Sequence, residues 1–290
     1  MRLRRSMPPR ERWLAAVALG GTGHYAAAST VLRELLADPS VGPGVAAHAA
    51  VTLAAHRRQL GGHAAARAHD ALGLRLAAQA AGSAAPDHDG TDPWAARIDA
   101  TVGLAADAVG TFQPALARRL LDTAVALAGG HPSPRPLIRA GWVRAELALI
   151  CGDAQAAVGP AARALDLAAG FGSLRHVLKS RIVLVVARAA AGAVDADSAL
   201  VELDAAAAQC AEQGLLPLRW PVDLAAADLQ DANEFESRMA EKSVSGTTDG
   251  AARRRHAAAA TLSVIYRRSD PNGRRLMGES EWLSRGLRVT

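Results

Sequence analysis

Glycines that recur between Ala-rich amphipathic stretches limit what this chain can fold into more than any other feature. Gly23, Gly62, Gly110, Gly152 and Gly192 stand 39, 48, 42 and 40 residues apart. A glycine between two helices supplies a left-handed turn at no Cβ cost, so each marks the turn of a helix pair. The clearest two copies run from Trp13 to Ala28 and from Trp142 to Ala157. In both, Trp precedes the turn Gly by ten residues and a small residue follows it by five. The second helices continue to Ala37, before Asp38-Pro39, and to Ala169, before Gly170.

Composition explains how such pairs would pack. Half of the 290 residues are apolar but only 3% are aromatic, so a core must be built from Ala, Leu and Val. Ala is the best helix former and loses no side-chain entropy on ordering, and its small volume lets helix backbones approach closely. Further copies are predicted as Val45 to Leu60 with Ala64 to Gln79, Pro93 to Val109 with Pro114 to Leu127, and Leu174 to Ala191 with Asp197 to Gln213.

These residues resemble the tetratricopeptide repeat family, whose pattern is a small residue in the first helix, a turn Gly, an aromatic two positions later, Ala in the second helix and often Pro after it. Ala16, Gly23, Tyr25, Ala28 and Pro39 follow it, as do Ala145, Gly152, Ala157 and Ala164, with Ala154 in place of the aromatic. Gly110, Phe112 and Ala115 follow it at the third turn; after Gly192, Asp197 falls where Ala is expected. The spacing near 40 exceeds the usual 34 and is similar to the looser repeats of bacterial regulators. The resemblance spans roughly residues 9–230. It implies an all-α fold, a right-handed superhelical array of antiparallel helix pairs whose first helices line a concave groove, and a partner bound there.

The expected layout is a basic segment over 1–8, a repeat domain over 9–241 closed by a capping helix from Val222 to Glu241, a flexible linker over 242–250, and a basic helical tail over 251–290. Gly82 to Gly90 reads as a loop without fixed structure. Charge follows the same division: residues 1–12 carry net +4, residues 13–250 net −5 and residues 251–290 net +6. The body is therefore no nucleic-acid groove by charge, while its ends can reach acidic partners.

Catalysis needs convergent polar groups, and no motif supplies them. The nine His are scattered, with no His-x-x-x-His or Cys/His cluster of zinc spacing. No phosphate loop and no Gly-x-Ser-x-Gly elbow is present. The expectation is a non-enzyme without metal or cofactor. Cys151 and Cys210 read as buried thiols in a reducing cytoplasm. The start of the chain imitates a signal peptide, but its apolar run is short and abuts Arg10-Glu11-Arg12. The run Ile182 to Val186 is too short to span a bilayer.

Two surfaces carry the functional expectation. Aligned on the marker glycines, Arg139, Trp142 and Glu146 share one helix face. Equivalent offsets select Arg10 and Trp13, His56 and Gln59, Arg97 and Asp107, and Lys179. Such a groove would grip an extended peptide or a partner's helix, with Trp as anchor and Arg as carboxylate clamp; the other reading has the Trp residues filling the core between repeats and the charges solvated. The second surface is the tail, with Arg253, Arg254, Arg255, Arg267, Arg268, Arg274 and Arg275. It would dock on the acidic body or a protein partner in preference to nucleic acid, which a few arginines bind only without specificity. The two functions that follow are a protein-interaction scaffold and a sensor that passes ligand binding in the groove to a nucleic-acid or transcription partner through the tail.

Overall fold

The computed structural model describes residues 7–239, 248–280 and Leu283, and every regular element among them is a helix. In chain order these are α1 (Pro9–Gly21), α2 (Tyr25–Ala37), α3 (Pro43–Gln59), α4 (His63–Gln79), α5 (Pro93–Gly110), α6 (Pro114–Ala128), α7 (Arg135–Ile150), α8 (Ala154–Phe171), α9 (Leu174–Ala190), α10 (Ala196–Glu212), α11 (Leu216–Met239), α12 (Thr248–Arg267) and α13 (Pro271–Glu279). The five predicted helix pairs are α1–α2 through α9–α10.

Local chemistry sets the helix starts. Pro occupies the first turn of α1, α3, α5, α6, α7 and α13, where its missing N–H costs nothing. Asp92, Asp153, Asp195 and Asp270 cap α5, α8, α10 and α13 by accepting a backbone N–H. The turns within the pairs repeat one geometry, in which an N–H reaches back five residues: His24 to Leu19, Gly62 to Arg57, Gln113 to Ala108, Asp153 to Ala148 and Ala193 to Arg188, all at 2.8–3.0 Å. This is the six-to-one bond of a Schellman ending, which needs a left-handed residue just before the donor. Gly23, Gly61, Gly152 and Gly192 fill that place with φ from 65° to 80°, and Phe112 fills it in the third pair with φ 53°. Two predicted markers thus shift: the strained position is Gly61 rather than Gly62, and Phe112 rather than Gly110.

Layering follows from the burial pattern. The second helices each bury one stripe at spacings of three and four, such as Ala117, Leu121, Ala124 and Ala128 on α6 or Ala157, Ala161, Ala164 and Ala168 on α8. One stripe suits an outer helix. First helices bury several faces; on α5 thirteen of eighteen residues are buried. The reason is that each first helix after α1 packs on its own partner, on the preceding second helix and on the first helices to either side. First helices therefore form an inner layer and second helices an outer one. Small residues permit the close approach, as at Gly141, where an added Cβ would lie 2.9 Å from the Ala164 Cβ and 3.1 Å from the Pro160 carbonyl.

The last helices differ from the expected cap and tail. α11 starts at Leu216, runs through Pro221 and is covered by α12 rather than left as a terminal face. α13 then lies across the turns of the first two pairs. Tyr25 and Leu60 share one apolar cluster with Leu262, Ile265, Met277 and Leu283. Asp270 is the polar centre of this contact: Arg57 donates Nη1 to Oδ1 at 2.7 Å and Nη2 to Oδ2 at 2.6 Å, and Ser29 and Arg33 donate to Oδ2 at 2.9 and 3.3 Å. Arg57 holds Asp270 far below the usual carboxylate range, against the opposing effect of burial. The expected linker falls mostly outside the described residues, as does most of the basic segment 1–8. The loop over 82–90 is held at its far end, where Thr91 donates to Asp87 and Arg135 donates to the Gly90 carbonyl. Cys210 is buried as expected; Cys151, at the mouth of a turn, is exposed.

Candidate functional site

The inner layer places the residues that the sequence selects in three groups. At one end, Arg10 donates to Thr91 Oγ1 at 3.1 Å, and Trp13 is buried, stacked on His48 and donating Nε1–H to Thr52 Oγ1 at 2.9 Å. In the middle, Nε2 of His56 lies against Gly20, leaving no room for a Cβ there, and Gln59 accepts from the Tyr25 hydroxyl. Asp107 is buried and accepts from Arg58 at 2.7 Å, while Arg97 is exposed and stands apart. On α7 and α9, Trp142, Glu146 and Lys179 come together, while Arg139 of α7 turns to Asp99 of α5. Lys179 donates to Glu146 at 2.9 Å and lies 5.8 Å above the Trp142 ring, and Trp142 donates to Ser180 Oγ at 2.8 Å.

Both tryptophans are thus built into the contact between neighbouring first helices. Trp142 stacks on His176 as Trp13 stacks on His48. In each case a His 34 or 35 residues after the Trp covers the indole, and a hydroxyl four residues beyond that His takes its N–H. This Trp, His, Ser/Thr pattern was present in the sequence but spans two repeats, so a search confined to one repeat passes over it.

Three residues of the inner layer escape the glycine alignment. Asp99, buried, is gripped by Arg135 and Arg139, each at 2.6 Å. Burial would raise its pKa, but the two guanidinium groups outweigh burial and lower it. Arg175, one turn before Lys179 on α9, reaches towards Gly21 of α1. The i, i+4 spacings Arg135/Arg139 and Arg175/Lys179 were the available signal. The histidines of this layer are held neutral: burial first, then nearby arginines, pushes His48 down to about 4 and His56 and His176 to about 3.

The tail lies on the body. Arg254 pairs with Asp204 at 2.6 Å and also donates to Gln230, and Arg255 pairs with Asp231 at 2.5 Å and Asp228 at 3.1 Å. Arg268 donates to the Thr22 carbonyl, Arg274 to the Ser269 carbonyl and Arg275 to Glu279. Arg253 and Arg267 are exposed on α12. Among the described residues no group of three His, Cys, Asp or Glu side chains is placed to hold a metal ion, and no helix is long and apolar enough to cross a membrane.

No protein-family model matches the chain, and no curated protein is found to be similar to it. Among solved structures, a crystal structure described as a Podosopora anserina putative kinesin light chain with nearly identical TPR-like repeats is similar at 19% identity, covering 78% of this chain and 98% of that one, with a TM-score of 0.44. A likeness at that level leaves the fold to be read from this chain's own packing.

Proposed function

We propose that this chain is a non-catalytic interaction module in which the inner layer of first helices receives an extended segment of a partner protein. One observation supports this reading most. Where α7 meets α9, Glu146 and Lys179 are held half-buried beside Trp142, with side-chain exposures of 38% and 29%. Charges that serve only solubility stand out in water; charges held at partial burial around an indole form a polar rim of the kind that orients a bound chain.

The sensor alternative, with output through the tail to nucleic acid, has fewer residues to draw on, since Arg254 and Arg255 are neutralised by body carboxylates. Deleting the tail is a poor test of either reading, because it would strip Asp270 from the buried Arg57.

A charge reversal tests the inner layer more cleanly. The double variant Glu146→Lys, Lys179→Glu keeps the ion pair and inverts its direction. Affinity capture from lysate of the producing cells, with and without nuclease, should recover a protein with the wild type and lose it with the double variant. Equal recovery by both would sink the groove reading. Recovery that disappears with nuclease would move the function to the basic tail.

A further inference from the structure

The outer layer has a gap between the third and fourth pairs. α6 and α8 both pack on α7, and over its last turns they leave a cavity of about 570 Å³. Spaces of roughly 300–1,000 Å³ take small molecules. The base is one face of α7, since Arg144, Leu147, Ala148 and Cys151 stand at offsets of three, four and seven. That face is turned away from Glu146, so the cavity opens outward and not onto the inner layer.

The lining divides into an apolar floor and a charged rim. Leu121 and Leu147, both buried, make the floor. Three arginines and two aspartates stand around it, so one positive charge is in excess. Arg144 is paired with Asp122 at 2.8 Å, and Asp153 caps α8 by accepting the Ala156 N–H at 3.0 Å. Arg118 on one wall and Arg163 on the other are exposed, and among the described residues neither has a hydrogen-bond or ion-pair partner. An anion seated on the floor would meet these two cations where screening is weaker than in open water.

The α8 wall adds an acceptor. Pro160 lies inside the helix and has no N–H, so the Ala156 carbonyl lacks the donor that the helix would otherwise place there. Both residues line the cavity, and the break in the hydrogen-bond ladder therefore lies in its wall.

We propose that this cavity binds a small apolar carboxylic acid that also carries an N–H or O–H donor. The carboxylate goes to Arg118 and Arg163, the apolar body covers Leu121 and Leu147, and the donor fills the break at the Ala156 carbonyl. The site belongs to the outer layer and stands or falls independently of the inner groove.

Cys151 gives the experiment a local reporter. Its thiol is exposed and lies in the cavity lining, whereas Cys210 is buried, so a thiol reagent labels the folded full chain at Cys151. The probe is indole-3-acetate, followed by calorimetry and by the labelling rate, with indole-3-acetamide and 1-methylindole-3-acetate as controls. The acid should bind with a Kd on the order of 100 µM and slow labelling in proportion to occupancy. The amide should bind about tenfold more weakly, and the N-methyl acid about fivefold. Replacing both free arginines, Arg118→Met with Arg163→Met, should weaken the acid about tenfold and leave the fold intact, because both positions are exposed. Ala156→Leu, which fills the wall, should abolish both binding and protection. Acid and amide binding alike, an N-methyl acid as tight as its parent, or protection of Cys151 that survives the double arginine variant would each overturn the proposal. So would a wild-type chain that neither binds millimolar acid nor has its thiol protected by it.

Discussion

The first three helix pairs and the next two share one plan but are held together by different forces. Arg12, Arg57, Asp70, Asp92, Asp99 and Asp107 are all buried in the first three pairs. The fourth and fifth bury no charged side chain and, of polar ones, Ser180 alone among the described residues. Their clusters are Ala, Leu, Val and Ile, with Trp142 in one and Cys210 in the other. Stripes of Ala and Leu pack well in more than one register, because sliding by a turn replaces one small apolar contact with another. A buried carboxylate has no such freedom, since any register that separates it from its arginine leaves a charge without a partner. The first region should therefore be specified by charge and the second by volume.

The contrast can be broken most directly at Asp270. Asp270→Ala leaves Arg57, with 1% side-chain exposure, facing no carboxylate, and should cost about 3–5 kcal/mol in urea unfolding. Lys179→Met in the second region should cost less than about 1 kcal/mol. Similar losses for the two would erase the distinction. Next in size, Gly103→Ala drives a Cβ into the Asp70 carboxylate, which Arg58 holds in place, and should cost about 3 kcal/mol. Gly141→Ala, which crowds Ala164 without displacing a charge, should cost about 1–2 kcal/mol. Trp13→Phe and Trp142→Phe test what the regions share: each removes one indole hydrogen bond, to Thr52 or Ser180, and each should cost about 1 kcal/mol beyond any loss of packing.

The smallest effect is a slope with pH. Burial pushes the Asp70 carboxyl up to about 7, with Asp107 adding to it and Arg58 opposing. Its folded value lies above its unfolded one, so its contribution is full below about pH 4 and fades as pH rises through 7. Asp270, shifted the other way, contributes fully above about pH 4 and loses that contribution in acid. Urea midpoints of the wild type should therefore carry a falling component between about pH 4 and 7 that Asp70→Asn removes. An unchanged slope in that variant would show that Asp70 does not titrate there.

Much of the fold was legible because its punctuation is local. Pro43, Pro93 and Pro114 start helices, and Gly23, Gly152 and Gly192 end them, for reasons contained in a few residues. Phe112 was not legible as a left-handed residue, since Gly110 two positions earlier offered the same conformation without strain. Site residues were read only in part. Arg139, Trp142 and Glu146 share a face of α7 by spacing alone; Lys179 of α9 meets Glu146 and Trp142, while Arg139 turns to Asp99 of α5. Asp99 and Arg175 depend on which helix lies opposite, which periodicity within one repeat does not contain. The tail's charge pointed to the acidic body, but the partners Asp204, Asp228 and Asp231 follow only from the packing of α12.

The contact between Arg57 and Asp270 joins residues 213 positions apart. A stacked helix array can in principle fold as it leaves the ribosome, each pair settling on the one before it. Here the second pair holds a cation whose counter-charge is synthesised 213 residues later. At about 5–20 residues per second, Arg57 waits on the order of ten to forty seconds for its partner. Through that interval the apolar turn surface of Tyr25 and Leu60 is uncovered, and the nascent array needs either a chaperone or a tolerance for water that the finished protein does not require.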